Sequence, residues 1–350
     1  MRVLIVVPSQ DRITGNWITA GRFQHGLEQL GHQVALQAAS QHPPGRLRLR
    51  LHEFSPDVAL LLHAYRSGKP WLEEASGLDI PSVVLLTGTD VNQGLDDAEQ
   101  SEIIRTVMHQ AALVLVQNPL IAAGLTTSRP ELSAKLRLLS PGIILGSLPY
   151  DLRETHGLAR EYPLFLCPAG LRPVKGLLKL LTMCDRLAIT DCPDCRIQLV
   201  FCGPRLDADY SRRFLAALGV RPWASYLGVI APQAMANAMR GADVIVNNSQ
   251  TEGLANTLLE AATLGVPILA SNIPGNAAVV RHNVNGLLYD NEREFRQYVQ
   301  ELIDPARRRQ LTCPDPQRYH PGHESAELAA ILDDAIQADP SSRKSHIIRN

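Results

Sequence analysis

One pattern constrains this chain more than any other: short apolar runs of strand length alternate with segments whose apolar residues fall at helical spacing. Runs that are apolar throughout, instead of at every second residue, suit strands buried on both faces, and such strands form parallel sheets covered by helices. The expected fold class is therefore α/β. In the first half the strand candidates are residues 3–7, 33–37, 58–63, 82–87, 113–116 and 136–139. Between them, Leu47, Leu51 and Phe54 share one helix face, as do Ile103, Val107 and Ala111. A second series follows, with strands expected near 164–167, 197–202, 244–247 and 267–270. The pattern relaxes over 146–162, where Pro149, Asp151, Arg153, Glu154, His156 and Gly157 interrupt the apolar runs. That is the composition of a linker. The expected organisation is an N-terminal Rossmann-like domain over 1–155 and a second over 156–320. A C-terminal helix within 321–338, packing back toward the first domain, and a tail over 339–350 complete it.

With 350 residues, 45% of them hydrophobic and 20% charged, the chain has material for two cores of ordinary size. The formal net charge of -1 supplies no field that would draw it to nucleic acid. The apolar run after Met1 is short and leads into Ser9-Gln10-Asp11-Arg12 without a small-residue cleavage site, so it reads as a first strand and not as a signal peptide. No run approaches the roughly 20 residues of a membrane helix. A soluble, cytoplasmic protein is expected. Arg46, Arg48 and Arg50 alternate with leucines, but the spacing of Leu47, Leu51 and Phe54 leaves the arginines on a solvated helix face; peripheral membrane contact is the less favoured alternative. The six cysteines form no evenly spaced framework, which fits free thiols in a reducing compartment. Cys192 and Cys195 have C-x-x-C spacing but no second pair, and read as part of a loop.

The chemistry-bearing residues cluster at two strand ends. After the run 244–247 comes Asn248-Ser249-Gln250-Thr251-Glu252-Gly253-Leu254-Ala255-Asn256-Thr257, and a helix carrying Glu260 starts at once. A strand emptying through a glycine-containing loop into a helix builds an anion site, because the first N–H groups of a helix lack internal partners and the helix dipole adds positive potential. Glu260 suits ribose, whose two neighbouring hydroxyls can both donate to one carboxylate. Upstream, Gly170-Leu171-Arg172-Pro173-Val174-Lys175 follows the first strand of the second domain and offers two cations to a diphosphate. Asp207-Ala208-Asp209 spells D-x-D, yet it falls at a helix start, where acidic residues are favoured without any metal.

These segments resemble glycosyltransferase family 4. Gly203-Pro204, Gly265-Val266-Pro267, Asn272-Ile273-Pro274-Gly275-Asn276 and Asn285-Gly286-Leu287-Leu288 follow the same pattern in order. Thr14-Gly15-Asn16, Gly88-Thr89-Asp90-Val91-Asn92, Gly170 to Lys175 and the segment 273–280 are most similar to the glycosyltransferase-1-domain-containing protein 1 group. A more distant likeness, in Gly15-Asn16, Leu62-His63-Ala64 and 86–90, is to the selenosugar synthases of selenoneine biosynthesis.

The resemblance implies a GT-B fold, two Rossmann-like domains facing across a cleft. It also implies transfer of a sugar from a nucleotide-diphosphate donor, a UDP-sugar in preference to GDP or ADP forms, to a small-molecule or glycan acceptor with retention of configuration. No cofactor and no obligatory metal are expected. By position, Arg172 and Lys175 would neutralise the diphosphate and Glu260 would hold ribose. Glu252 would lie at the donor sugar, and Gly15, Asn16, Gly203, Gly253, Leu254, Ala255, Asn256 and Thr257 would complete the donor site. Many family members carry a histidine near the end of the fourth strand, where this chain has Thr87-Gly88-Thr89-Asp90. Acceptor activation is thereby left among Asp90, Thr89 and His63. Other classes on the same architecture are a selenophosphate-using synthase, a nucleotide-sugar epimerase and a non-catalytic sugar-nucleotide binder.

Overall fold

The computed structural model describes residues 1–9, 14–39, 45–190, 197–312, 314 and 317–338. The C-x-x-C segment and the tail over 339–350 lie outside the described residues. The chain divides into two compact units, Met1–Ile143 with the C-terminal stretch from Tyr319, and Ile144–Arg318.

The first unit holds a parallel sheet of β1 (Arg2–Val7), β2 (Gln33–Ala38), β3 (Val58–Leu62), β4 (Ser82–Leu86), β5 (Leu113–Val116) and β6 (Leu136–Leu138), in the order β2-β1-β3-β4-β5-β6. The pleat sorts each apolar run onto two faces. Val3, Ile5, Leu60, Leu62, Val83 and Leu85 pack with Phe23 and Leu27 on one side, while Leu4, Val6, Leu61, Val84 and Leu86 pack with Leu47, Leu51, Trp71 and Val107 on the other. Burial on both faces is why these strands are apolar without alternation. As the spacing predicts, Leu47 and Leu51 are the buried residues of the helix Arg46–Phe54, and Arg46 is exposed.

The helix Pro321–Ala338 belongs to this first unit: its Leu328, Ile331, Leu332 and Ala335 join the core that contains Phe23. Its start is fixed by a buried ion pair, Arg22 Nε to Glu324 Oε2 at 2.5 Å and Arg22 Nη2 to Glu324 Oε1 at 2.9 Å, with Gln117 Nε2 donating to the same Oε1 at 2.7 Å. Gly26 permits the approach, since a Cβ there would sit 1.8 Å from Ser325 Oγ.

The second unit repeats the design with β7 (Leu164–Pro168), β8 (Gln198–Cys202), β9 (Ala224–Tyr226), β10 (Val244–Asn247), β11 (Ile268–Ser271) and β12 (Gly286–Tyr289), ordered β12-β11-β10-β7-β8-β9. Phe165, Phe201, Val246 and Leu269 form its core with Phe214, Phe295 and Leu302 from covering helices. Two edge strands escape the sequence reading. β9 has three half-buried residues and hence no apolar run, and β12 hides in the Asn285-Gly286-Leu287-Leu288 motif.

The boundary also moves. The expected division at 155/156 lies instead at Ile143/Ile144, because the short helix Leu152–His156 is fastened to the second unit. Leu152 is fully buried there, and Arg153 Nη2 meets Asp243 Oδ2 at 2.7 Å. Asp243 also accepts from the Leu164 N–H at 2.8 Å and from Arg308 at 3.2 Å, so one carboxylate ties the linker to the sheet. Among the described residues no helix is long and apolar enough to cross a membrane.

Candidate active site

In an open parallel sheet, ligands bind beyond the carboxyl ends of the strands where the strand order reverses. In the second unit the reversal falls between β7 and β10. The two loops leaving that point are those carrying Arg172 and Lys175 and those carrying Ser249 to Ala255, and they are in contact. The Gln250 N–H donates to Val174 O at 2.8 Å, and Asn248 Nδ2 donates to Gly176 O at 2.7 Å. Lys175 Nζ and Glu252 Oε1 form an ion pair, with Ser249 Oγ donating to the same oxygen at 2.7 Å. Both charged side chains keep some exposure, 17% for Lys175 and 12% for Glu252, so solvent or a ligand can reach them.

Glycine is required here by geometry. Gly176 has φ +61°, and a Cβ on it would lie 2.4 Å from Asn248 O. Gly203, at the end of β8, has φ +142°, and a Cβ would lie 2.3 Å from Ala169 O. At φ values of this kind an L side chain is strained even before the contact is counted. Gly275 brings another loop against Glu252, where a Cβ would lie 2.5 Å from Glu252 O.

Arg172 is half-buried, and its Nε is a buried donor that no group of the protein accepts. The helix Asn256–Leu264 has Ala255 at its N-cap and no side-chain cap, so its leading N–H groups are not satisfied by a capping side chain. Glu260 is half-buried just over one turn into this helix. Its charge reaches Cys202 at the end of β8: burial pushes that thiol up first, and the neighbouring Cys167 and Glu260 push it further. Burial likewise raises Cys167 to about 12, against the opposing pull of Lys175. These buried thiols stay protonated and unreactive at neutral pH.

The sequence reading missed the polar floor beneath the loop. Ser271 Oγ donates to Ser249 O at 2.7 Å, and Tyr289 Oη donates to Asn248 Oδ1 at 2.7 Å. The fully buried Asn276 donates to Asn247 Oδ1 at 3.2 Å and to Ser271 O at 2.9 Å. The available signal was the run Asn247-Asn248-Ser249, three small polar residues placed where an apolar strand ends. Asp207 accepts from the Tyr210 N–H at 2.8 Å as an N-cap, and Asp209 pairs with Arg212 at 2.7 Å, which accounts for both acids of the D-x-D spelling.

In the first unit the strand order reverses between β1 and β3. His63 follows β3, and Thr89 and Asp90 follow β4. Asp90 is fully buried and opens the π-helical turn Asp90–Gly94. Its Oδ1 accepts from the Thr87 and Gly88 N–H groups at 3.0 and 2.8 Å, and its Oδ2 accepts from the Ala64 N–H at 2.9 Å. A carboxylate so committed has the geometry of a clamp joining the ends of β3 and β4.

His63 is buried with φ +89°. Its Nδ1 accepts from the Tyr65 and Arg66 N–H groups, both at 3.2 Å, and its Nε2 lies 3.1 Å from Thr89 Oγ1. Burial lowers its pKa to about 4; Asp90, 3.9 Å away, opposes the shift and Arg66 adds to it. Gly15 and Asn16 begin the helix Gly15–Gln29, with Thr14 at the N-cap. A Cβ on Gly15 would meet nothing within 4 Å, so the protein's own packing does not demand glycine there. Among the described residues no group of three His, Cys, Asp or Glu side chains is arranged to hold a metal.

Residues 151–312 match the family described as "Glycosyl transferases group 1". Over 325 residues the chain is 26% identical to "Glycosyltransferase 1 domain-containing protein 1" of Xenopus tropicalis, covering 90% of this chain and 91% of that protein. Among solved structures, sucrose-phosphate synthase from Thermosynechococcus elongatus superposes with a TM-score of 0.73 at 16% identity, over 99% of this chain and 100% of that one. Anabaena HepE, solved with UDP and glucose, gives a TM-score of 0.67 at 17% identity over 99% of both chains. The two parallel six-stranded sheets are those of the GT-B fold. The stretch that matches group 1 glycosyl transferases contains the switch point of the second unit, and over nearly its whole length the chain is similar to a glycosyltransferase 1 domain-containing protein.

Proposed function

We propose that the chain transfers a glycosyl group from a UDP-sugar to a small-molecule or glycan acceptor, with retention of configuration and without an obligatory metal or cofactor. The observation that carries the donor side is the convergence, at one strand reversal, of Lys175, the unaccepted Arg172 Nε and a helix start with no side-chain cap. Three sources of positive potential aimed at one place suit a diphosphate. In this reading Lys175 exchanges Glu252 for a phosphate oxygen, and Arg172 supplies the second cation. The backbone of Gly253, Leu254 and Ala255, with Asn256 and Thr257, binds the remaining oxygens. Glu260 accepts from the ribose hydroxyls near Gly203. Glu252, released from Lys175, turns to the hydroxyls of the donor sugar.

The reaction breaks the bond between the anomeric carbon and the phosphate oxygen, and its electron pair leaves with the diphosphate. The acceptor attacks the same face, and its proton passes to the leaving phosphate oxygen. Arg172 and Lys175 lower the barrier by meeting charge as it accumulates, a form of electrostatic stabilisation worth several kcal/mol when the groups are already in place.

The test is calorimetric titration of the full chain with UDP, GDP and ADP, followed by nucleotide release from the matching sugar nucleotides with and without EDTA. UDP should bind most tightly and EDTA should leave turnover unchanged. Absence of any nucleotide binding would defeat the donor assignment. Binding without transfer or slow donor hydrolysis would favour a non-catalytic binder.

A further inference from the structure

At the strand ends of the first unit, backbone N–H groups, His63 and Thr89 form a hydrogen-bonded chain with a single direction, and Asp90 lies beside it. His63 Nδ1 accepts from two backbone N–H groups, Tyr65 and Arg66, and so carries no proton. The ring proton is therefore on Nε2, which donates to Thr89 Oγ1 at 3.1 Å. With that lone pair used, the threonine's own O–H must point away from His63. Asp90 cannot take it, since its oxygens accept from Ala64, Thr87 and Gly88. Thr89 is half-exposed, whereas His63 and Asp90 are buried, so its hydroxyl is the one polar group of the three that a ligand can reach.

The backbone of His63 is held in the left-handed region at φ +89°, which is strained for a residue with a side chain. Strain of this kind persists where the surroundings enforce it. Here the His63 N–H is fixed by Leu85 O at 3.0 Å, the Ser67 hydroxyl binds Leu62 O at 2.7 Å, and the Asp90 clamp joins the flanking loops. The strained backbone points the imidazole along the strand ends toward Thr89.

Resting on the glycosyl-transfer reading above, we propose that the Thr89 hydroxyl, oriented by the His63 Nε2–H, is the hydrogen-bond donor through which the first unit grips an oxygen atom of its substrate. Thr89 is the substrate-contacting group, and His63 and Asp90 are positioning residues. The substrate atom must be an acceptor: a hydroxyl or ether oxygen of a sugar, or an anionic oxygen. Neither His63 nor Asp90 has a free site from which to act as a base. The charged groups facing the imidazole are Asp90 and Arg66.

The test uses the full chain with UDP-glucose and UDP-N-acetylglucosamine as donor probes and UDP release as readout, beside UDP affinity by calorimetry. Thr89→Val should lower kcat/KM by roughly 10- to 100-fold while UDP affinity changes less than about twofold, and Thr89→Ser should recover to within about threefold of the unaltered protein. His63→Gln should lower kcat/KM about 10-fold without altering the shape of the pH profile above pH 5.5. Nitrogen-15 NMR of the unaltered chain should report the Nε2–H tautomer with no titration near pH 6.5. Thr89→Val turnover equal to that of Thr89→Ser, or an imidazole that titrates near 6.5, would overturn the proposal. Should the unaltered chain fail to bind UDP, the donor reading falls, and the NMR result still decides the orientation of Thr89.

Discussion

Both sheets reverse strand order, the first after two strands and the second after three, and the strand ends of the two build opposite environments. In the second unit, Lys175 and Glu252 are paired but partly exposed, and Arg172 has a donor that nothing accepts. In the first unit, Asp90 and His63 are buried, and their hydrogen-bonding atoms are committed within the protein. An ion pair that a ligand can reach can trade one partner for another, whereas a fully buried carboxylate bonded to three backbone N–H groups costs much to rearrange. The second unit can thus exchange its partners for those of a ligand. The first is built to hold one hydroxyl still.

That contrast can be broken most decisively by substitution on its exchangeable side. Lys175→Ala and Glu260→Ala should each reduce kcat/KM by two to four orders of magnitude, about 3–5 kcal/mol, with melting temperatures close to that of the unaltered chain. Near-normal turnover in both would remove the site from this loop. On the committed side the loss should appear as stability. Asp90→Ala strands the Ala64, Thr87 and Gly88 N–H groups in the interior, and denaturant unfolding should show a loss of about 3–5 kcal/mol while UDP affinity is retained. An Asp90→Ala protein as stable as its parent but inactive would make Asp90 a reacting group.

A smaller effect follows from His63. Its folded pKa, about 4, lies below the unfolded value of 6.5, so the unfolded chain binds more protons in that interval. The contribution is fully present above pH 6.5 and is lost as pH falls toward 4, by up to roughly 3 kcal/mol. Subtracting the same denaturation series for His63→Gln isolates it from carboxylate titration; parallel curves would place the imidazole in water. The smallest effect is at Gly203, where alanine should cost about 2 kcal/mol and weaken UDP binding several-fold, through strain at φ +142° and contact with Ala169 O. An unchanged Gly203→Ala protein would show that the β8 loop lies outside the site.

The two loops proposed to hold the donor were legible in the sequence as loops at strand ends because their parts are local. Arg172 and Lys175 occupy one turn, and Ser249 to Glu260 form one strand-loop-helix passage, so strand ends and helix starts could be read from neighbouring residues. Asp90 was not legible. Its carboxylate reads as an available base until the Ala64 N–H, 26 positions away, is seen to occupy it. The polar floor likewise joins Asn247, Ser249, Ser271, Asn276 and Tyr289 from three strand ends.

The sequence by itself determined the class of fold, the paired sheets and the placing of charge at a strand end of the second, since periodicity and glycine spacing are properties of the chain over a few residues. The tertiary structure decided where the units divide, because Arg153 chooses Asp243 across 90 positions. It also decided which carboxylates stay exchangeable and which are consumed. Burial and hydrogen-bond saturation are set by residues distant in the chain, and no local pattern encodes them.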